Sequence, residues 1–353
     1  MKVAVGLSGG VDSTLTALLL QEQGHDVIGI SMALYNDEIP NLKLANDACY
    51  GPKEKEDLAE IHTWCENRGI PHFTLDLSEE YKKTVLKYFK ETYLSGQTPN
   101  PCVMCNSGMK FGLMLEKAKQ VCDFDAFATG HYARITVSDN GAILTRGKDL
   151  KKDQSYFLYR LTQAQLVHTI FPLGEYTKNQ VREMARERGL VQADKADSQD
   201  FYAGDYTDLL QTQPKRGEIV LASGKVLGYH QGFWNYTIGQ RKGLGIAYPE
   251  PLFVIALDVK HNRVIVGPKN ETFATTCRIK NVVPGILMQD KRDFQCLVKY
   301  RSAGQLIKAH VIQKDSDYEI CFDDPQPSIT PGQSAVLYDG DLVIGGGIIC
   351  KNA

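Results

Sequence analysis

Lys2-Val-Ala-Val-Gly-Leu-Ser-Gly-Gly-Val-Asp-Ser13 joins an apolar run to a helical one through a pair of glycines. Its apolar start, Lys2–Gly6, reads as a strand, and Val11–Gln23 has the periodicity of an amphipathic helix. Gly6, Leu7, Ser8, Gly9, Gly10, Val11, Asp12 and Ser13 therefore form a strand-to-helix turn. Gly9 and Gly10 let the backbone bend sharply and bring amides close to an anion. Ser8 and Ser13 offer hydroxyls, and the helix N-terminus adds partial positive charge. Asp12 repels a bare phosphate but suits Mg²⁺ held between carboxylate and phosphate oxygens. The lysine of the Gly-x4-Gly-Lys-Ser/Thr loop is absent, so this is a different phosphate loop.

His25–Met32, Pro71–Leu77 and Phe124–Thr129 read as further strands, with helical patterns at Glu56–Arg68 and Tyr81–Tyr93 between them. Such alternation predicts an α/β domain, a parallel sheet covered by helices on both faces. Thr177-Lys-Asn-Gln180 has the form of a capping box and opens a helix to about Arg188. After about Asp205 the pattern changes to short alternating strands. Leu252–Val259, Val264–Gly267, Gln295–Arg301, Leu306–Gln313 and Ala335–Tyr338 are separated by turns such as His261-Asn262 and Asp339-Gly340. The predicted division is 1–205 for the nucleotide domain, 206–272 for a central domain and 273–353 for a small C-terminal β-barrel.

The 353 residues are 43% hydrophobic and 23% charged, the balance of a soluble globular protein without a membrane span. The apolar strand begins at Lys2, which leaves no room for a leader, and a cytoplasmic address is expected. A net charge of −2 argues neither for nor against nucleic acid; a basic surface has to be local, and Arg146–Lys152 and Lys299–Arg301 are the candidates. Nine cysteines are expected to be mostly thiols.

Two of those cysteines stand apart. Thr98-Pro-Asn-Pro-Cys-Val-Met-Cys-Asn106 precedes an amphipathic helix, with Asn100 as its cap and Pro101 in its first turn. Cys102 and Cys105 then lie one turn apart on one face, where helix amides are expected to lower thiol pKa. Half of a zinc site would need a second Cys-x-x-Cys pair, and the chain has none. Cys65, Cys122, Cys277, Cys296, Cys321 and Cys350 read as core or strand residues.

The Ser-Gly-Gly-x-Asp-Ser loop resembles that of enzymes which split ATP into AMP and pyrophosphate. With Glu56-Asp-Leu58, Thr98–Asn106, Ala128-Thr-Gly-His-Tyr132, Lys152-Asp-Gln-Ser-Tyr-Phe157, Asp197-Ser-Gln-Asp200, Tyr236–Gly245 and Pro331-Gly-Gln333, the whole chain resembles the tRNA-specific 2-thiouridylases. The resemblance implies an adenine-nucleotide alpha-hydrolase-like domain, a central domain and a C-terminal β-barrel. It implies ATP at Gly6–Ser13, Met32 and Gly130, with Mg²⁺. It implies contacts to a tRNA anticodon stem-loop at Asn100, Pro101, Cys102, His131, Lys152, Asp153, Gln154, Tyr300, Arg301 and Gln333. The nucleophilic cysteine of the family falls on Cys105.

One departure matters. The family commonly continues Ser-Gln-Asp with Ile-Cys-Phe, and that cysteine carries the persulfide; here Ser198-Gln-Asp200 runs into Phe201-Tyr202. A tyrosine holds no persulfide, while Cys102 stands where many members have aspartate. Either Cys102 and Cys105 form a persulfide relay, or they ligate a four-iron, four-sulfur cluster with Cys49 as third ligand, leaving one iron open to sulfide. The sulfur donor is then a protein persulfide or inorganic sulfide. Rival readings are an ATP-dependent amide or amidine ligase and a tRNA-binding protein that has lost catalysis.

Overall fold

The computed structural model describes residues 1–36, 49–194, 201–202 and 204–350. Strands β1 (Lys2–Gly6), β2 (Asp26–Ala33), β3 (His72–Asp76) and β4 (Ala126–Ala128) run parallel in one sheet. A hairpin, β5 (Ala133–Ser138) and β6 (Gly141–Arg146), leaves that sheet, and β7 (Thr169–Ile170) returns to it, giving the order β3-β2-β1-β4-β7. Alternation along β1 explains the layering. Val3 and Val5 face the helix Val11–Glu22, while Ala4 faces the opposite cluster with Ile30 and Phe127. Each fully buried valine contributes about 1.5–3 kcal/mol of transfer free energy. The other face is covered by helical residues 78–94 and 101–118, through Tyr81, Phe89, Met109 and Phe111.

The central sheet has the order β10-β11-β8-β9, from β8 (Gly217–Leu221), β9 (Val226–His230), β10 (Phe253–Asp258) and β11 (Arg263–Gly267). The C-terminal strands are β12 (Phe273–Pro284), β13 (Asp293–Lys299), β14 (Ile307–Lys314), β15 (Asp317–Pro327), β16 (Ser334–Asp339) and β17 (Leu342–Ile349). They run in the order β12-β15-β14-β13-β16-β17, and β12 pairs with β17 to close the barrel. The β5–β6 hairpin extends this barrel sheet through a single register, Leu342 against Thr145. The barrel also reaches the cysteine segment. Thr98 N donates to Pro331 O at 2.9 Å, and Gln333 Nε2 donates to Thr98 O and Pro99 O at 3.2 and 2.8 Å. Among the described residues no helix is long and apolar enough to cross a membrane.

Candidate active site

The carboxyl ends of β1, β2 and β4 are neighbours, and the sheet order reverses beside β1, which is where parallel sheets hold ligands. Gly9 there has φ +76°, and Gly10 opens the helix Val11–Glu22 with no side-chain cap. The first-turn amides are thus left to an anion. Ser13 Oγ accepts from Ser8 N at 3.2 Å and donates to Gly10 O at 3.1 Å, which fixes the turn. Met32 is near the end of β2, and Gly130 lies just past β4. A Cβ at Gly130 would come within 2.7 Å of the Asp12 backbone, so only glycine allows the two segments to touch.

Asp12 differs from expectation. Its Oδ1 accepts from Lys178 Nζ at 2.8 Å and from Tyr132 Oη at 2.8 Å, and its Oδ2 accepts from Lys178 Nζ at 2.9 Å. In this arrangement the carboxylate is paired with the Lys178 ammonium. Neither Lys178 nor Tyr132 was singled out in the sequence. The signals were present, in the Thr177 capping box that places Lys178 at the first helical position and in the motif that ends at Tyr132.

In the cysteine segment, Asn100 Oδ1 accepts from Val103 N at 3.4 Å and proline follows it, as the cap predicts. From Cys105 to Leu113 the helix widens to π geometry. Cys102 and Cys105 are partly buried and pack against the main core. The expected depression of thiol pKa fails at Cys105. Burial pushes it up to about 11, the neighbouring Cys49 adds to this, and the Lys110 ammonium only partly opposes them. Removal from water outweighs the helix amides here. Burial likewise disfavours the Lys110 charge, yet Cys105, Cys49 and Cys102 together raise its pKa. None of the nine cysteines is in a disulfide. Among the described residues no group of three His, Cys, Asp or Glu side chains is placed to hold a single metal ion.

His131 joins the two halves. Its Nδ1 is 2.7 Å from Thr129 Oγ1, and its ring lies against Phe111 and Phe171. Burial, helped by Lys110, lowers its pKa to about 3, so the imidazole is neutral at ordinary pH. Lys110 thus adjoins both the thiols and the histidine that follows Gly130.

Tyr202 is buried, and its hydroxyl donates to Asp208 Oδ2 at 2.9 Å. Tyr50 N donates to Phe201 O at 3.0 Å, which sets Cys49 beside the segment where the family's second cysteine would lie. The Asp197–Asp200 motif lies outside the described residues.

The basic candidates divide. Lys152 is exposed, whereas Arg146 pairs with Asp153 and Asp341. The Asp153 carboxylate is buried and accepts from Gly147 N and Ser155 N, both at 3.1 Å, so it shapes the turn from within. Gln154 Oε1 accepts from Tyr132 N at 2.9 Å. Tyr300 is buried, and Arg301 stacks on its ring while donating to Pro327 O at 2.7 Å. Burial lowers the pKa of Lys299, and Asp153 works against that shift.

Residues 1–202 match the family described as tRNA methyl transferase HUP domain, residues 208–268 its PRC-barrel domain, and residues 265–349 the aminomethyltransferase beta-barrel domain. The chain is 46% identical to the tRNA-specific 2-thiouridylase MnmA of Endomicrobium trichonymphae, over 99% of each chain. It is 40% identical to that of Aquifex aeolicus, again over 99% of each. The chain belongs to the tRNA-specific 2-thiouridylase family. A solved 4-thiouridine synthetase in complex with RNA and ATP aligns at TM-score 0.38 and 15% identity, covering 60% of this chain and 46% of that one.

Proposed function

We propose that this chain is an ATP-dependent tRNA-uridine 2-sulfurtransferase that converts the wobble uridine to 2-thiouridine, with 1–205, 206–272 and 273–353 as its working units. The observation that carries this reading is the meeting of phosphate loop, His131 and the Cys102/Cys105 helix at one end of the parallel sheet. It stands in a chain that matches 2-thiouridylases over nearly its whole length. ATP is bound at Gly6–Ser13, Met32 and Gly130, and the exposed Lys152 together with Arg301 and Gln333 supports the anticodon stem-loop. Asp12, beside the first-turn amides, would help to hold Mg²⁺ bound with ATP, and the ion would supply neutralisation of phosphate charge there.

The uridine C2 oxygen attacks the ATP α-phosphorus and releases pyrophosphate. The terminal sulfur of a persulfide on the Cys102/Cys105 pair then attacks C2, and AMP departs with the former C2 oxygen. The second thiolate of the pair attacks the inner sulfur, releases the C2 thiocarbonyl and leaves a disulfide that an external thiol reductant resets. Bringing C2 to the cysteines requires the base to leave its stack, at a cost of a few kcal/mol that is smaller in a loop than in a duplex. A neutral His131 suits the role of hydrogen-bond partner to that base, and no proton transfer is assigned to it.

The relay is preferred to the cluster because Cys102 and Cys105 lie one turn apart along one helical segment, where the thiol of one can attack a persulfide on the other. Anaerobic protein, assayed for iron and then for thiolation, separates the two. The relay expects iron-free protein to work with a persulfide donor and Cys49→Ser to be nearly silent. Activity that requires both iron and Cys49 would overturn it in favour of the cluster.

A further inference from the structure

The turn at 148–154 and the phosphate loop are far apart in sequence, yet two separate chains of hydrogen bonds run from one to the other and end on the same carboxylate. In the first, Asp149 Oδ1 accepts from Lys151 N at 3.1 Å within the turn, and its Oδ2 accepts from Lys178 N at 3.0 Å. The Lys178 side chain, only 7% exposed, then grips both oxygens of Asp12 at 2.8 and 2.9 Å. In the second, Gln154 N donates to Tyr132 O and Gln154 Oε1 accepts from Tyr132 N, both at 2.9 Å. The Tyr132 hydroxyl donates to Asp12 Oδ1 at 2.8 Å. Lys178 Nζ also stands 5.6 Å over the Tyr132 ring, so the two arms touch each other before they meet Asp12.

Asp12 is in the first turn of the helix whose amides face the phosphates. Lys152 on the turn projects into solvent. A shift of the turn moves the Lys178 and Tyr132 backbones and, through them, the Asp12 carboxylate; a shift of Asp12 is passed back by the same bonds. We infer that Lys178 and Tyr132 are positioning residues that hold Asp12 in register with the 148–154 turn, coupling RNA on the turn to ATP on the phosphate loop. This inference rests on the sulfurtransferase reading for what occupies each side. Coupling of this kind is reciprocal: if tRNA strengthens ATP binding by some factor, ATP strengthens tRNA binding by the same factor.

The test measures the affinity of the full-length protein for unmodified tRNA with and without Mg²⁺ and a non-hydrolysable ATP analogue. The ratio of the two affinities is the coupling factor, expected to be about tenfold in the native protein, within the usual range for coupled sites. Tyr132→Phe, which removes one oxygen, and Lys178→Met each cut one arm and are each expected to lower the factor, and together to bring it close to one, with little change in nucleotide-free tRNA affinity. Lys178→Arg, which keeps a donor to Asp12, is expected to retain most of it. If Lys178→Met does not fold, Tyr132→Phe decides alone. A factor of one in the native protein, or an unaltered factor in folded Tyr132→Phe and Lys178→Met, overturns the inference. Failure of the native protein to bind either ligand would instead count against the sulfurtransferase reading itself.

Discussion

Gly130→Ala isolates the join between the ATP loop and the sheet. The added Cβ would lie 2.7 Å from the carbonyl carbon of Asp12 and 2.9 Å from its Cβ and its carbonyl oxygen. Two of these atoms are backbone, in a helix anchored by the fully buried Leu15 and Ala17, so none can rotate aside as a side-chain tip would. Forcing a methyl group into such a contact costs about 1–3 kcal/mol. The helix is fixed by the core, so the displacement falls on the Thr129–His131 segment and the mouth of the phosphate loop. If ATP binding has to restore the native spacing, its affinity falls by about 5- to 150-fold, at 1.4 kcal/mol per factor of ten. Isothermal titration with ATP and Mg²⁺ reads this directly, with circular dichroism as the check on folding. Gly108→Ala, where a Cβ meets nothing within 4 Å, is the control and should bind ATP normally. A folded Gly130→Ala protein with ATP affinity within twofold of native would mean that the loop does not depend on this close approach.

Four further outcomes are expected. Tyr202→Phe removes the bond to Asp208 from a buried ring and should cost about 1 kcal/mol of stability, seen as a lower thermal midpoint, with thiolation intact; loss of thiolation would give that hydroxyl a chemical role. Because the Cys105 thiol is held protonated up to about pH 11, its alkylation by iodoacetamide in ligand-free protein should rise about tenfold per pH unit between pH 7 and 10. A plateau near pH 8 would show a depressed pKa instead. Lys152→Ala should reduce the salt slope of tRNA binding by about one ion without altering ATP affinity, and an unchanged slope would place the phosphate contact elsewhere. Cys105→Ser should abolish thiolation while pyrophosphate release on tRNA continues; retained thiolation would exclude both sulfur routes.

The parallel sheet was legible because its signals are local. Alternation at Val3, Ala4 and Val5 and the glycine turn at Gly9 need no distant partner, and the Thr177 capping box forms as read, with the helix at Lys178–Glu187. Ends were displaced by a residue or two, as at Glu54–Glu66 against the expected Glu56–Arg68. The β5–β6 hairpin was not legible, because its partner strand is nearly 200 residues away and contributes one register. At the site, residue types were readable and their burial was not. Cys105 has the sequence context of a helix-activated thiol, but the packing around it decides its pKa. Asp12 has the context of a magnesium ligand, but Lys178 approaches from a helix more than 160 residues onward. Charge pairing across such distances leaves no periodic trace in a sequence.

In the proposed reaction ATP is split to activate a uridine oxygen for sulfur. This is tested by incubating the purified protein with unmodified tRNA, ATP, Mg²⁺ and a persulfide donor, then counting products per turnover by nucleoside analysis. The expected products are 2-thiouridine at the wobble position, with one AMP and one pyrophosphate for each base converted, and the former uridine oxygen recovered in AMP after labelling with oxygen-18. An amidated product, or tRNA binding without AMP formation, would contradict the proposed reaction.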